Sequence, residues 1–401
     1  MRLHLVAVAF VSAVSTGAVL LAEPTSADAV DEPIHTFVSM PDFLNTDIGD
    51  TRLRAGSGWD AGDPVSTNDV YERAIDVILD EVEAEHPDSV LVAGDLVEGR
   101  WGRDVDDTGI FGPVRTLTEK RRAVLNAANL YYGEWRRRFA SRGLTVYPAV
   151  GDHEIGDNPW PANEPKWQMF DTFKSAWARN FVTRWGKGNK YEERPVGSAF
   201  EDTAYATYLT PDVLLVTVDV FRRTATGVVP SVHGDQLTWL RKVLTETTAQ
   251  TVLVQGHTPV LGPVRLFATS RLMHLKGAES AFWRVLKAHD VDLYLCGEVH
   301  AVTAIDDGVV QVAHGSLAAQ GNENYLLGKV YADGRIELTA KRFESTGHDV
   351  SSRLWQSGLH RPPIGITYQR GTTTTGTMTL DAAGTVVEQT GNLAPWDGIG
   401  P

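Results

Sequence analysis

The chain has little of what a cystine-stapled scaffold or a nucleic-acid binder relies on. Of its 401 residues one is cysteine, Cys296, so no internal disulfide can form and a Cys-based zinc finger is excluded. Positive charge is scarce too. Lys and Arg number 37 against 51 Asp and Glu, a net −14 with neutral histidines, and so acidic a chain does not hold nucleic acid by bulk charge. An anionic substrate therefore requires positive charge concentrated at one place. No Gly-x-Ser-x-Gly elbow is present, which disfavours a Ser-His-Asp hydrolase, and no Gly-rich phosphate loop follows the first internal apolar run.

Long apolar runs are absent except at the N-terminus, where Arg2 precedes the run 5–22 and a small-residue site follows at Ala27, Asp28 and Ala29. This pattern reads as an export signal on 1–29, with cleavage after Ala29, and the alternative is an uncleaved membrane anchor. The expectation is a secreted, extracellular protein with no membrane contact once the signal is removed. Cys296 ends an apolar run and reads as a buried strand residue rather than a reactive thiol.

What the chain does have is alternation. Short Val- and Leu-rich runs at 35–39, 89–93, 145–150, 213–218, 251–255 and 291–296 are separated by helix-like stretches, which argues for an α/β layered domain. Tyr71, Ala74, Ile75, Ile78 and Val82 recur at helical spacing, and further helices are expected over 235–247 and 277–289. Trp101, Trp135, Trp160, Trp167, Trp177 and Trp185 crowd into inserts around 100–200, as a substrate-covering lid or, the favoured reading, as the insert's own core. The basic clusters 120–122 and 136–138 read as solvated helix faces. Beyond 300 the pattern turns to hairpins, with Gly334 and Gly384 in the tight turns. The expected organisation is a main domain over 30–345, then a connector and C-terminal β extension over 346–401.

The chemistry is concentrated where strands end. After successive apolar runs come Pro41-Asp42-Phe43-Leu44-Asn45, Gly94-Asp95-Leu96-Val97-Glu98-Gly99, Gly151-Asp152-His153-Glu154, Gly256-His257-Thr258-Pro259 and Gly297-Glu298-Val299-His300. Groups at the carboxyl ends of strands in an open α/β sheet converge on one crevice. Carboxylates and imidazoles gathered there can hold two divalent ions, an arrangement that activates water against phosphate. His314, just after the last motif, reads as a core histidine satisfied by the backbone.

In this order the motifs resemble those of the calcineurin-like metallophosphoesterase superfamily, which includes the purple acid phosphatases, over residues 33–345. The resemblance implies an α/β, four-layer double β-sandwich flanked by helices, and a dinuclear centre bridged by Asp95. Asp42, Asp95 and His300 would hold one metal, with Asn45 or Asp47 as its fourth ligand; Asp95, Asp152, His257 and Glu298 would hold the other. His153 matches the family histidine that contacts phosphate and protonates the leaving oxygen, and Glu154 would orient its ring.

Three motifs depart from the family pattern. Motif one lacks its usual Asp-x-His, Asp152 stands where Asn is usual, and Glu298 stands where a His is usual. The last two replacements add negative charge and hard oxygen, which shifts preference from zinc toward manganese, iron or magnesium; manganese or iron is favoured, with zinc or magnesium as alternatives, in a divalent or mixed-valence pair. The reading is a secreted metal-dependent phosphoesterase acting on a small phosphate mono- or diester. The alternative is a noncatalytic extracellular binding protein with a degenerate metal site.

Overall fold

A computed structural model describes residues 32–44, 69–97, 99, 101, 111–184, 187–317, 322–347 and 366–398. The export signal on 1–29, the candidate ligands Asn45 and Asp47, and Trp185 lie outside the described residues. No helix among the described residues is long and apolar enough to cross a membrane.

Two sheets carry the structure. One has seven strands in the order Val386–Gln389, Ile366–Leu380, Ile336–Gly347, Asn324–Val330, His35–Ser39, Ser89–Val92 and Val146–Pro148. The other has six, in the order Thr303–Asp306, Val310–Ala313, Leu293–Cys296, Thr251–Gln255, Val213–Thr217 and Tyr205–Thr210. Within the first sheet His35–Ser39, Ser89–Val92 and Val146–Pro148 are mutually parallel. Within the second, Val213–Thr217, Thr251–Gln255, Leu293–Cys296 and Val310–Ala313 are parallel. The five motif-bearing strands all belong to these parallel sets, so their carboxyl ends converge.

Strand periodicity explains the layering. Side chains alternate faces along a strand, and Phe37, Leu91, Leu215, Leu253, Leu293 and Leu295 from the two sheets meet in one shared core. Their neighbours Val38, Val90, Leu214, Val254, Tyr294 and Cys296 face the other way, into the core packed by helices. Both faces of these strands are apolar, which is why the runs read as continuous rather than alternating. The result is the expected sandwich of two sheets with helices outside.

The helix Asp69–Ala84 buries Ile75, Ile78, Leu79 and Val82 on one face; each such burial contributes roughly 1.5–3 kcal/mol. The helix Leu117–Ser141 starts at a capping box in which Thr116 and Glu119 satisfy each other's backbone N–H groups, closing two of the orphan donors at its N-terminus. It carries the basic clusters, and Arg138 and Arg142 of its C-terminal end reach Asp76 of the first helix at 3.3 and 2.8 Å. The stretch expected to form one helix over 277–289 is broken: Ser280 ends a 3₁₀ turn at Gly277–Glu279, and its hydroxyl caps Ala281–Ala288 by accepting from Trp283 N, as a short polar N-cap does.

The tryptophans fill the insert. Trp135 and Trp177 are fully buried, and Trp101 and Trp160 nearly so, packed with Tyr131, Tyr132 and Phe181 of the helices Leu117–Ser141 and Phe170–Phe181. The C-terminal strands pair onto the first sheet through antiparallel hairpins. Gly334 and Gly384 take φ of 90° and 72° in the two turns, a conformation open to glycine and costly for residues with a Cβ.

Candidate metal centre

The loop after His35–Ser39 brings Asp42 to the centre by two backbone bonds, Asp42 N to Gly94 O at 3.1 Å and Leu44 N to Asp95 O at 3.0 Å. Phe43 anchors the same loop from behind, edge-on to Trp135 with centroids 4.7 Å apart. Asp42, Asp95, Glu298 and His300 all have positive φ, from 55° to 70°. Non-glycine residues rarely adopt this region, and such strain persists where surrounding contacts hold it, commonly at functional sites.

His257 occupies the middle of the site and is fully buried. Its Nδ1 lies 2.9 Å from Ala93 O. A carbonyl only accepts, so Nδ1 carries the hydrogen and Nε2 is left to face the site. Around Nε2 stand Asp152 Oδ1 at 3.1 Å, Glu298 Oε2 at 3.4 Å and Asp95 Oδ2 at 3.5 Å. Burial disfavours a charged His257, but Asp95, Asp152, Glu298 and Asp42 outweigh it and push its pKa well up. The carboxylates demand a cation at Nε2, which a proton or a metal ion can supply.

Asp42 and His300 form the other side, with His300 Nε2 3.6 Å from Asp42 Oδ1. Asp42 Oδ1 accepts the Glu298 N–H at 3.1 Å, whereas Asp42 Oδ2 is buried without a hydrogen-bond partner among the described residues. A buried carboxylate oxygen left unpaired costs free energy unless a cation satisfies it. Glycine permits this crowding: a Cβ on Gly297 would strike Asp42 Oδ2, and one on Gly151 would strike Asp95 Oδ1.

Asp95, Asp152 and Glu298 are each 1–2% exposed and Asp42 is fully buried. Burial, then the neighbouring Asp152 charge, raises the Asp95 pKa well above its usual value. Burial opposes ionisation of Asp152 as well, but His153, His257 and the Asn158 amide overcome it and hold this carboxyl far below the usual range. Crowded carboxylates driven to opposite protonation tendencies are a site short of positive charge. Donor atoms fall into three overlapping groups within 4.8 Å: Asp42, Asp95 and His257; Asp95, Asp152 and His153; and Asp152, His257 and Glu298. These observations fit a pair of divalent cations.

His153 lines a polar cavity of about 160 Å³ together with Asp95, Asp152 and His300. Its side chain is 15% exposed, and Nε2 lies 3.9 Å from both Asp95 Oδ2 and Asp157 Oδ1. Glu154 is placed differently from expectation. Its carboxylate is fully buried and accepts backbone N–H groups of Asp95 and Gly151 through Oε2 at 2.8 and 2.7 Å, and of Leu96 through Oε1 at 2.9 Å. The fixed backbone donors of two converging loops, not the adjacent imidazole, claim both oxygens, so the residue fastens the second motif to the third.

Several contributors escaped the reading of strand ends. Asn158 donates to Asp152 Oδ2 at 2.7 Å, Asp157 is the carboxylate near the His153 ring, and Thr269, Ser270 and Leu272 N all donate to Glu298 Oε1. None follows an apolar run with a glycine beside it. The Asn158-Pro159 turn signal was the one local cue. His314 is a buried core histidine, with Nδ1 on Val312 O at 3.1 Å and Nε2 on Ser39 Oγ at 2.8 Å. Cys296 is likewise buried, and burial raises its thiol pKa well above the usual value.

A layered α/β sandwich with carboxylates and imidazoles converging from five strand ends defines a metal-dependent hydrolase. Comparison with known proteins carries this further: the family model described as calcineurin-like phosphoesterase matches residues 47–302. The chain belongs to that family, and it is a hydrolase of phosphoric esters whose centre takes two divalent ions. Among solved structures it is similar to PhoD, with 12% identity, a TM-score of 0.53, and 92% of this chain and 74% of that one covered. A dimetal phosphatase from Danio rerio aligns with 16% identity and a TM-score of 0.47, covering 77% of this chain and 96% of that one. No curated protein matches the chain in sequence.

Proposed function

We propose that the protein is an exported phosphate mono- or diesterase working with manganese or iron. The observation that carries this is His257: a carbonyl fixes its hydrogen on Nδ1, and three carboxylates surround Nε2 within 3.5 Å. The oxygen-rich donor set supports manganese or iron before zinc. Asp42, Asp95 and His300 would hold one ion, and Asp95, Asp152, His257 and Glu298 the other. When bound, the ions supply a reactive water near neutral pH and neutralise charge developing on the phosphoryl oxygens.

The chain's own residues position and protonate. His153, opening on the cavity, hydrogen-bonds a phosphoryl oxygen and gives its Nε2 proton to the departing oxygen. Asp157 places a carboxylate 3.9 Å from the same nitrogen, on the wall of the cavity. Glu154 keeps the loops of Asp95 and Asp152 in register, and Asn158 holds Asp152 Oδ2 so that Oδ1 faces His257. Substrate recognition rests on this centre, since the acidic chain supplies no bulk positive charge. The apolar run 5–22 and the small-residue site after it support export.

Elemental analysis paired with hydrolysis of nitrophenyl phosphate and bis-nitrophenyl phosphate tests the reading. Two ions per chain and turnover restored by manganese are expected, and the faster substrate assigns mono- or diesterase activity. Full loading with no turnover of either substrate would overturn the proposal in favour of a noncatalytic binding protein.

A further inference from the structure

Glu298 stands at a strand end, but one of its oxygens is occupied by a loop with no regular structure. Thr269 Oγ1 donates to Oε1 at 2.8 Å, Ser270 Oγ at 2.6 Å and Leu272 N at 2.9 Å. A carboxylate oxygen offers about two lone-pair positions, so three donors saturate Oε1. Oε2 alone remains, 3.4 Å from His257 Nε2. Thr269 Oγ1 also accepts the Arg271 N–H at 3.0 Å, and Phe267 N donates to Val299 O at 2.9 Å. The loop is thus tied to the fifth motif at Glu298 and at Val299. Ala268 and Arg271 take φ of 49° and 66°, strain that these bonds hold in place. Ala268, Thr269 and Ser270 also line the cavity that His153 faces.

We propose that Thr269 and Ser270 are positioning residues that make Glu298 a one-oxygen metal ligand and so couple the rim of the pocket to occupancy of that metal position. The proposal rests on the assignment of Glu298 to the metal centre. An imidazole, which the family more often has here, binds through one nitrogen and directs its other N–H elsewhere. A carboxylate is free to chelate through both oxygens, and here the two hydroxyls remove that freedom. Groups that orient a metal ligand in this way typically change affinity about 10- to 100-fold when removed.

The test is calorimetric titration of metal-stripped full-length protein with manganese. In the double variant Thr269→Ala/Ser270→Ala one of two binding events should weaken by about 10- to 100-fold, while the other stays close to wild type. Thr269→Ser, which keeps the hydroxyl, should bind manganese as the wild type does. Unchanged affinities at both positions would overturn the positioning role and leave the metal assignment standing. Fewer than two binding events in the wild type would overturn the metal assignment and this proposal with it. Should the double variant fail to fold, hydrogen exchange on the wild type decides: manganese should slow exchange of the Leu272 amide, and no change there on saturation would contradict the coupling.

Discussion

The two sides of the metal centre are built differently. On the Glu298 side every ligand has a partner behind it: Ala93 O for His257, Asn158 for Asp152, and the Thr269–Ser270 hydroxyls for Glu298. On the Asp42 side one carboxylate oxygen is buried with no hydrogen bond among the described residues, while the other accepts the Glu298 N–H. The first side is preorganised by hydrogen bonds to three ligand side chains, while Asp42 is held by backbone bonds of its loop, one bond from Glu298 N and the Phe43–Trp135 contact. A ligand fixed from behind presents one atom in one direction, and this keeps a metal position specific. A cation would satisfy the Asp42 oxygen that has no partner among the described residues.

Asp95 belongs to two of the three donor groups and is assigned to both proposed metal positions, so its substitution gives the largest expected effect. Asp95→Asn should lose both ions and roughly 10⁴-fold or more in turnover, since the lowering of the water pKa is lost with the ions. Elemental analysis checks this, and an Asn variant that keeps two ions would show the sides to be independent. His153→Ala should keep both ions and slow hydrolysis about 10²- to 10⁴-fold, the usual contribution of a general acid. The loss should be greatest for poor leaving groups; an equal loss across leaving groups would remove His153 as the acid.

A smaller effect probes the Asp42 side through stability. Burial pushes the His314 pKa down to about 4, so the folded state keeps this ring neutral while the unfolded chain takes up a proton near pH 6.5. A depressed base contributes stability that is complete above the unfolded pKa and is lost as pH falls toward the folded one. The loss between pH 6.5 and 4 is up to about 3 kcal/mol. Urea unfolding at pH 7 and pH 5 should show a shallower pH dependence for His314→Gln than for wild type. Identical slopes would mean that the ring is charged in the fold.

The parts of this design that read from the chain are the local ones. A Val- and Leu-rich run followed by Gly and a ligand, as at Gly94-Asp95 or Gly256-His257, is contiguous, and strand periodicity then fixes both the layer and the strand end. The second set of contacts is not contiguous. Thr269 meets Glu298 across 29 positions, and Glu154 reaches Asp95 and Leu96 across 59 and 58. Whether Glu154 faced an imidazole or a backbone depended on how two loops pack, which no local pattern encodes. The tryptophans illustrate the same limit in reverse: their crowding was visible, and only packing decided between lid and core.

The central claim is that Asp95 unites two unequal metal positions. Anomalous scattering from manganese-soaked crystals measures it directly. Two peaks should appear, both at bonding distance from Asp95 and one also bonded to a single oxygen of Glu298. One peak alone, or two peaks of which Asp95 touches neither, would contradict the account.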